Sequence, residues 1–593
     1  MEVELPTSQL GFVQEDMDKD AKFSDSELVF YVKNVLKLSI QGDCRSYNEL
    51  VSVIEHNQSL GIDEVAVLVT CLKALSGAVS CIHMVHHHRL INSISCMSLW
   101  NYETDVMDAL VELLLSLASS GGQLDMCLYM LVDNFVPPHD PVRILNEPRA
   151  RTRKSRVLER VHSTLKDIAD LVPLSPMRLE EIVIERMPKA CSTVNTEVMV
   201  MYVENMLRLE NGAIGKLVGG TMLVAVMDLL LNLDLKITCR DIPKDDFTRG
   251  TFDMEFEEFE GIGDDVKHES DKMRELLVLD NLLVLTFEHL KLCYKSGRLT
   301  QVFKILLRSF QTTVLTAYKS KFTQFVVFYA CSLDPVKCGK KFATVLLNIF
   351  IYDIYPLGRM IAVAYLASYL SRAVFMSASF VATMLECLAK WCSDYCKNQD
   401  RALNPELHKV FYAGCQAIMY LLCFRMRSMV LIPRLKLQLR LLNLEEILMH
   451  PLSALKVCLP SIVKEFLHSV RETQLFVVPE KQEADELLES ELSRAFGGVE
   501  RLDMFFPFDP CLLRKSDSFI TPNFVHWSMV KSTPDDDEEF SSDYDIAEVG
   551  ADEGIDIVGG VTPKEYLLHK CASRNFHMQM PSKIRPSTSP ESL

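Results

Sequence analysis

The chain lacks the features that would mark a secreted protein, a membrane protein or an enzyme. Glycine and proline are sparse, 23 and 24 of 593 residues, while 48% of the residues are hydrophobic, which leaves room for a large buried core. The N-terminal MEVELPTSQLGFVQEDMDKD is acidic and has no apolar stretch of the kind a secretory signal needs. The longest nearly uncharged runs, such as Phe411–Phe424, look too short for a bilayer, which takes about 20 apolar residues to cross. Eighteen cysteines without a signal, scattered over helical faces, point to reduced thiols in a cytosolic or nuclear compartment. There is no glycine-rich phosphate loop, no nucleophile elbow and no four-ligand zinc spacing. The paired carboxylates lie in acidic runs, where nothing would hold them in catalytic geometry. We therefore expect no enzyme activity and no cofactor.

Acidity is present in excess but unevenly. The formal net charge is −18. Met1–Glu27 carries −6, Asp241–Asp271 carries −9 and Asp535–Asp556 carries −11, which leaves the remainder at +8. The negative charge thus sits in tails and one insertion. The folded body is mildly basic and suited to acidic partner surfaces or nucleic acid, unless the acidic runs merely keep the chain solvated.

What fills the body is helical periodicity. The stretch Phe322–Tyr395 contains four apolar runs of 10 to 15 residues, broken at Asp334-Pro335, Tyr355-Pro356 and Ser377-Ala378-Ser379. Proline removes a donor and clashes with the preceding turn, and serine caps the helix that follows it. Four short helices in this space form two helical hairpins, the unit of a HEAT or armadillo array with a period of about 40–47 residues. Within Gly358–Arg372 apolar residues face all ways, so this helix should be buried on most sides, and Arg372 should pair with a carboxylate such as Asp353 or Glu386.

The same pattern extends on both sides. We expect helices at Glu103–Ser119, Val157–Leu171, Met177–Arg186, Thr196–Glu210, Gly215–Leu235, Met273–Tyr294, Leu299–Tyr318, Leu407–Arg425, Leu435–Leu448 and Leu455–Val470. The expected organisation is a disordered acidic N-terminus over 1–22, a first helical half over 23–240 and an acidic disordered insertion over 241–272. A second helical half over 273–480 follows, then a C-terminal helix and capping segment over 481–530, and a disordered acidic, Ser/Pro-rich tail over 531–593. The fold class is all-α, a HEAT/armadillo-like α-solenoid of antiparallel helix pairs.

Some stretches invite a function. Arg149, Arg151, Arg153, Lys154 and Arg156 make a basic loop ahead of a helix. It reads either as a nuclear-import or anion-binding patch, or as an exposed lead-in. The insertion sets Phe252, Phe256 and Phe259 among acidic residues, either as a solvated excursion or as a contact segment. His83, His86, His87 and His88 suggest a metal, and His83 and His87 share a helical face, but no glutamate lies between them, 86–88 point in different directions and there is no convergent third ligand, so they read as exposed or capping histidines at a helix end. Cys387, Cys392 and Cys396 read as core thiols. In Leu502–Trp527, LDMFFPFDPCLLRKSDSFITPNFVHW, the prolines forbid a helix. Phe505, Phe506 and Phe508 make an apolar strap, which would cap the last repeat of an array or touch a partner.

The FFPFDP-C-LL block, together with FVVFYACS, PLGRMIAVAYLASYLSRA, FYAGCQAIMYLLCFR and PLSALKVCLPSIV, resembles the family of RNA polymerase I-specific transcription initiation factors (the TIF-IA family). The resemblance runs from about Leu28 to Trp527 and is most specific from Phe322 onward. It implies a nuclear and nucleolar protein that binds RNA polymerase I at its stalk and adjacent core. Such a protein bridges the polymerase to a promoter-bound core or selectivity factor at ribosomal RNA genes and then dissociates. It is regulated by phosphorylation and forms a homodimer when free; direct DNA contact is left open. The family's serine-bearing contact face, carried onto the outer side of Glu103–Ser119, would comprise Ser116, Ser119 and Ser120. A nuclear transport receptor or general HEAT scaffold is the alternative, which the family-specific blocks disfavour; a metal-dependent hydrolase would rest on the histidines alone.

Overall fold

The computed structural model describes residues 3–4, 22–55, 61–138, 149–189, 196–237, 266–317, 320–398, 405–476, 506–508 and 513–530. The expected disordered N-terminus and acidic insertion lie almost wholly outside these residues, and the tail from 531 lies entirely outside them. The fold is all-α and HEAT-like. The described β structure is limited to a two-residue antiparallel pairing, Val3–Glu4 with Lys22–Phe23, and one isolated bridge, Ala373 with Phe524.

The described residues form two compact units. One lies within Met1–Ile242, Asp265–Phe342 and Leu512–Asn523, the other within Ala343–Cys511 and Phe524–Leu593. In the first, helices alternate between two layers. Asp25–Ile40, Ile62–Ala78, Thr104–Ser119 and Ala150–Leu171 pack one on the next, while Arg45–Glu55, His88–Ser95, Leu124–Asp133, Ser175–Glu185 and Gly215–Asp234 pack in succession alongside. This is how antiparallel helix pairs stack when each can bury its apolar stripe only against its neighbours. Leu72, Leu75, Leu110, Leu113, Leu114 and Leu117 are buried in that stack.

In the second unit Pro356–Arg372 packs against Lys409–Val430, which also takes Ala378–Asn398 and Pro460–Thr473 on its sides. Lys409–Val430 is buried along most of its length. Gly414 lets its neighbours come close, for a Cβ there would lie 3.0 Å from Cys392 Sγ and 3.1 Å from Phe350.

The breaks in the hub follow local chemistry. Pro356 opens its helix, where a missing amide costs nothing. Asp334 accepts the Lys337 amide at 2.9 Å, and the Ser377 Oγ accepts the Phe380 amide at 3.4 Å. Two expected helices are each divided. Leu435–Leu448 becomes Pro433–Arg440 and Leu444–Leu448, parted at the left-handed Asn443. Leu455–Val470 becomes Ala454–Val457 and Pro460–Thr473, because Pro460 starts a new helix. Continuous apolar periodicity hid the first break.

Two segments, Ile62–Cys81 and Gly215–Asp234, are long and apolar enough to cross a membrane, contrary to the sequence expectation. Both contribute buried faces to the helical stack, Leu68, Leu72 and Leu75 from one and Met222, Val226 and Leu230 from the other.

Candidate partner-binding surfaces

The serine-bearing helix Thr104–Ser119 turns its leucine stripe inward and ends at a turn in which Gly121 adopts φ 83°. Ser119 and Ser120 are exposed. Their hydroxyls donate back to the Ser116 carbonyl at 2.9 Å and the Leu117 carbonyl at 2.7 Å, closing two of the helix's last carbonyls. Ser116 differs from the outward position that helical projection gives it. It is half-buried, with its Oγ 2.7 Å from Ser76 Oγ on the neighbouring helix. The solvent-facing part of the expected face is therefore Ser119 and Ser120.

The basic stretch is not a loop. Arg149 caps a helix that begins at Ala150, seven residues before the expected Val157 start. Helical geometry spreads its charges around the axis. Arg149 and Arg151 are exposed, and Arg153 is half-buried. Lys154 Nζ lies 2.6 Å from Glu204, and Arg156 lies 3.3 Å from Glu103. Two of the five cations are thus engaged within the first unit.

The aromatic strap is buried where it is described; Phe505 lies outside the described residues. Phe506 is inaccessible and stacks on Tyr420 with ring centroids 3.8 Å apart and planes 6° from parallel. Phe508 is equally buried, packs against Tyr365 and Tyr369, and donates its amide to Ser368 Oγ at 2.9 Å. Further on, Trp527 packs on Phe424 at 5.0 Å. Phe506 and Phe508 in this state offer a partner no surface.

Arg372 departs from expectation. Neither Asp353 nor Glu386 pairs with it. It is fully buried, and Nη1 donates to the Val525 carbonyl at 2.9 Å. The guanidinium lies 4.3 Å from the Phe424 ring centroid and 5.2 Å from that of Phe524. The Val525 amide donates in turn to the Arg372 carbonyl at 2.8 Å. Burial pulls the guanidinium below its ordinary pKa, with Tyr420 acting the other way. The cation is held by aromatic faces and a backbone dipole rather than by a carboxylate.

Among the histidines, His83, His86 and His88 are exposed and His87 is buried. His87 Nδ1 accepts the His83 amide at 2.9 Å, and Nε2 meets the Leu36 carbonyl at 3.0 Å. The first bond closes the loop on itself and the second holds it to helix Asp25–Ile40, and burial lowers the imidazole pKa. Cys392 is buried, while Cys387 and Cys396 are half-buried.

One metal-compatible group among the described residues escaped the sequence reading: Glu210, His289 and Cys293, all buried. Arg298 donates to both Glu210 oxygens, at 2.9 and 3.0 Å, and reaches Cys293 Sγ at 3.3 Å. His289 Nε2 lies 2.7 Å from the same carboxylate. Burial would raise the Glu210 pKa, but the hydrogen bonds from His289 and Arg298 outweigh it and leave it lowered. The guanidinium supplies the positive charge a metal would supply, so the group is complete as an ionic network. Gly219 makes room for it, for a Cβ there would come within 2.9 Å of Glu210 Cγ.

The family model described as RNA polymerase I specific transcription initiation factor RRN3 matches residues 21–532. Two curated proteins described as RNA polymerase I-specific transcription initiation factor RRN3 are similar to the chain. The one from Mus musculus is 28% identical over 83% of this chain and 80% of its own length. The one from Schizosaccharomyces pombe is 25% identical over 66% and 70%. The crystal structure of RNA polymerase I transcription initiation factor Rrn3 superposes with a TM-score of 0.69, at 18% identity, over 86% of this chain and all of that one. With described helices of both units inside the matched span, the chain belongs to the family of RNA polymerase I-specific transcription initiation factors.

Proposed function

We propose that this chain binds RNA polymerase I and bridges it to a promoter-bound core or selectivity factor at ribosomal RNA genes, acting in the nucleus and nucleolus. The observation that carries this reading is the family match across residues 21–532. Extended helical arrays work by docking broad surfaces, which suits a bridging factor. The exposed pair Ser119 and Ser120 supports one regulated contact. A phosphate there adds about −1.5 to −2 charge, opposes the dipole at the helix end and weakens docking onto an acidic or apolar surface. Arg149 and Arg151 are free to meet an anionic partner, and the unbound protein pairs as a homodimer.

The test is co-sedimentation of the full chain with purified RNA polymerase I. Wild type should comigrate with the enzyme, and Ser119→Asp with Ser120→Asp should reduce comigration while the double alanine variant keeps it. Failure of wild type to bind, with capture of transport cargo instead, would overturn the reading. Equal binding by both double variants would remove only the serine face from it.

A further inference from the structure

Between Glu406 and Glu445 the sequence contains no acidic residue and six basic ones. The surface part of this run begins where Lys409–Val430 ends and continues through Pro433–Arg440. Helix Pro433–Arg440 buries Leu435 and Leu439 and leaves its other side bare: Leu431 is 83% exposed, Leu437 60% and Leu441 71%. Arg434 and Arg440 are exposed beside them, Lys436 is half-buried, and none of the three meets a carboxylate of the described residues. On a helix Arg434, Leu437 and Leu441 fall on one face. The strip is thus both apolar and cationic; Gln438 touches Glu386 at its edge at 2.8 Å.

Such a surface fits an acidic segment that also carries apolar side chains, and the chain contains one near at hand. Asp535–Asp556, DDDEEFSSDYDIAEVGADEGID, holds eleven acidic residues and no basic one, with Phe540, Tyr544, Ile546 and Val549 among them. The described chain reaches Val530 three residues after Trp527, which packs on Phe424. Leu431 lies seven residues beyond Phe424, about 10 Å along the helix axis. The five residues from Val530 to Asp535 span up to about 17 Å when extended. Phe424, Trp527 and the strip all belong to the second unit.

We propose that the acidic tail Asp535–Asp556 docks in cis on the cationic-apolar strip Leu431–Leu441, keeping this surface covered until an acidic partner segment displaces it. The attraction between exposed charges is screened by salt, with a Debye length of about 10 Å at 0.1 M and about 3 Å at 1 M, so occupancy should fall as salt rises.

Carbodiimide coupling of the full chain, with mass spectrometry of the products, tests this. Lys436 should form isopeptide links to carboxylates of Asp535–Asp556, and the yield should fall several-fold in 1 M salt. In a mixture of light and 15N-labelled chains the links should stay within one label. Arg434→Glu with Arg440→Glu keeps the reporting amine and should abolish the links. Replacing Asp535, Asp536, Glu538 and Glu539 with lysine in that variant should restore coupling, now between the remaining tail carboxylates and Lys436. Circular dichroism checks that each variant is folded. Absent links, links to the insertion, mixed-label links or unchanged coupling in the charge-reversed variant would each overturn the proposal.

Discussion

Each unit contains a charged side chain that is fully inaccessible to solvent, and the two are handled in opposite ways. In the first, Asp234 ends its helix fully buried. Its carboxylate accepts the amides of Lys321, Phe322 and Thr323 at 2.9–3.1 Å, with the hydroxyls of Ser320 and Thr323 at 2.7 and 2.9 Å. Lys321 Nζ stands further off, at 3.9 Å. In the second unit Arg372 donates to the Val525 carbonyl, lies beside the rings of Phe424 and Phe524, and is favoured in its charged form by Tyr420. Both charges tie down a stretch of chain distant in sequence. The anion, however, is solvated by a full set of donors, whereas the cation leans on polarisable faces. Removing charge from a fully donor-coordinated anion orphans several buried amides; removing it from a cation in an aromatic sleeve also relieves a desolvation cost.

The comparison predicts unequal effects from nearly isosteric neutral substitutions. Asp234→Asn presents an NH2 group to a ring of donors and weakens those that remain, so it should cost about 3 kcal/mol or more in urea unfolding, since hydrogen bonds to charged groups contribute about 1.5–3 kcal/mol each. A loss below about 1 kcal/mol would mean that the Ser320–Thr323 turn finds other acceptors. Arg372→Met keeps the volume and the contact with the rings, and should shift stability by only about 1 kcal/mol in either direction, as replacing buried ions with apolar residues of similar size often does. If Arg372→Met is the more damaging of the two, the backbone bond to Val525 matters more than the aromatic sleeve, and the contrast between the units fails.

None of the long-range polar partnerships was legible in the sequence, for a physical reason. Asp234 is 86–89 residues from the groups it binds, Arg298 is 88 from Glu210 and Arg372 is 153 from Val525. Local periodicity reports which face of a helix is buried, not which distant polar group arrives there. The helices themselves were legible because Leu110, Leu113, Leu114 and Leu117 repeat at helical spacing and because Pro335, Pro356 and Ser377 sit at breaks. The strap was legible because FFPFDP, with prolines at 507 and 510, cannot be helical and is too apolar to lie bare. Ser116 was misplaced because projection around one helix ignores the neighbour that brings Ser76 to it. Dense like charge at Arg149–Arg156 resembles a linker, yet Lys154 finds Glu204 on another helix and Arg156 finds Glu103 at the start of one.

Acid sharpens the comparison with a smaller effect, set within the first unit. His162 stacks on Phe135, with centroids 5.7 Å apart and planes 10° from parallel, and Nε2 lies 2.8 Å from Asn205 Oδ1. Asn205 in turn donates to the Phe135 and Met201 carbonyls, so its Oδ1 faces the imidazole as an acceptor and Nε2 carries the proton. Burial pulls the His162 pKa down from 6.5 to about 4, although the Asn205 bond favours the charged form. The folded state therefore resists a proton that the unfolded chain accepts. Stability is fully present above pH 6.5 and is lost as the pH falls through that value toward 4. Comparing His162→Gln with wild type isolates the contribution, because glutamine can still donate to Asn205 but does not titrate. The urea midpoint of wild type should drop further between pH 7 and 4.5 than that of His162→Gln, whatever the offset at pH 7. Parallel curves would show that His162 takes up its proton without opening the Phe135–Asn205 contact, and would assign the acid response of this unit to its carboxylates.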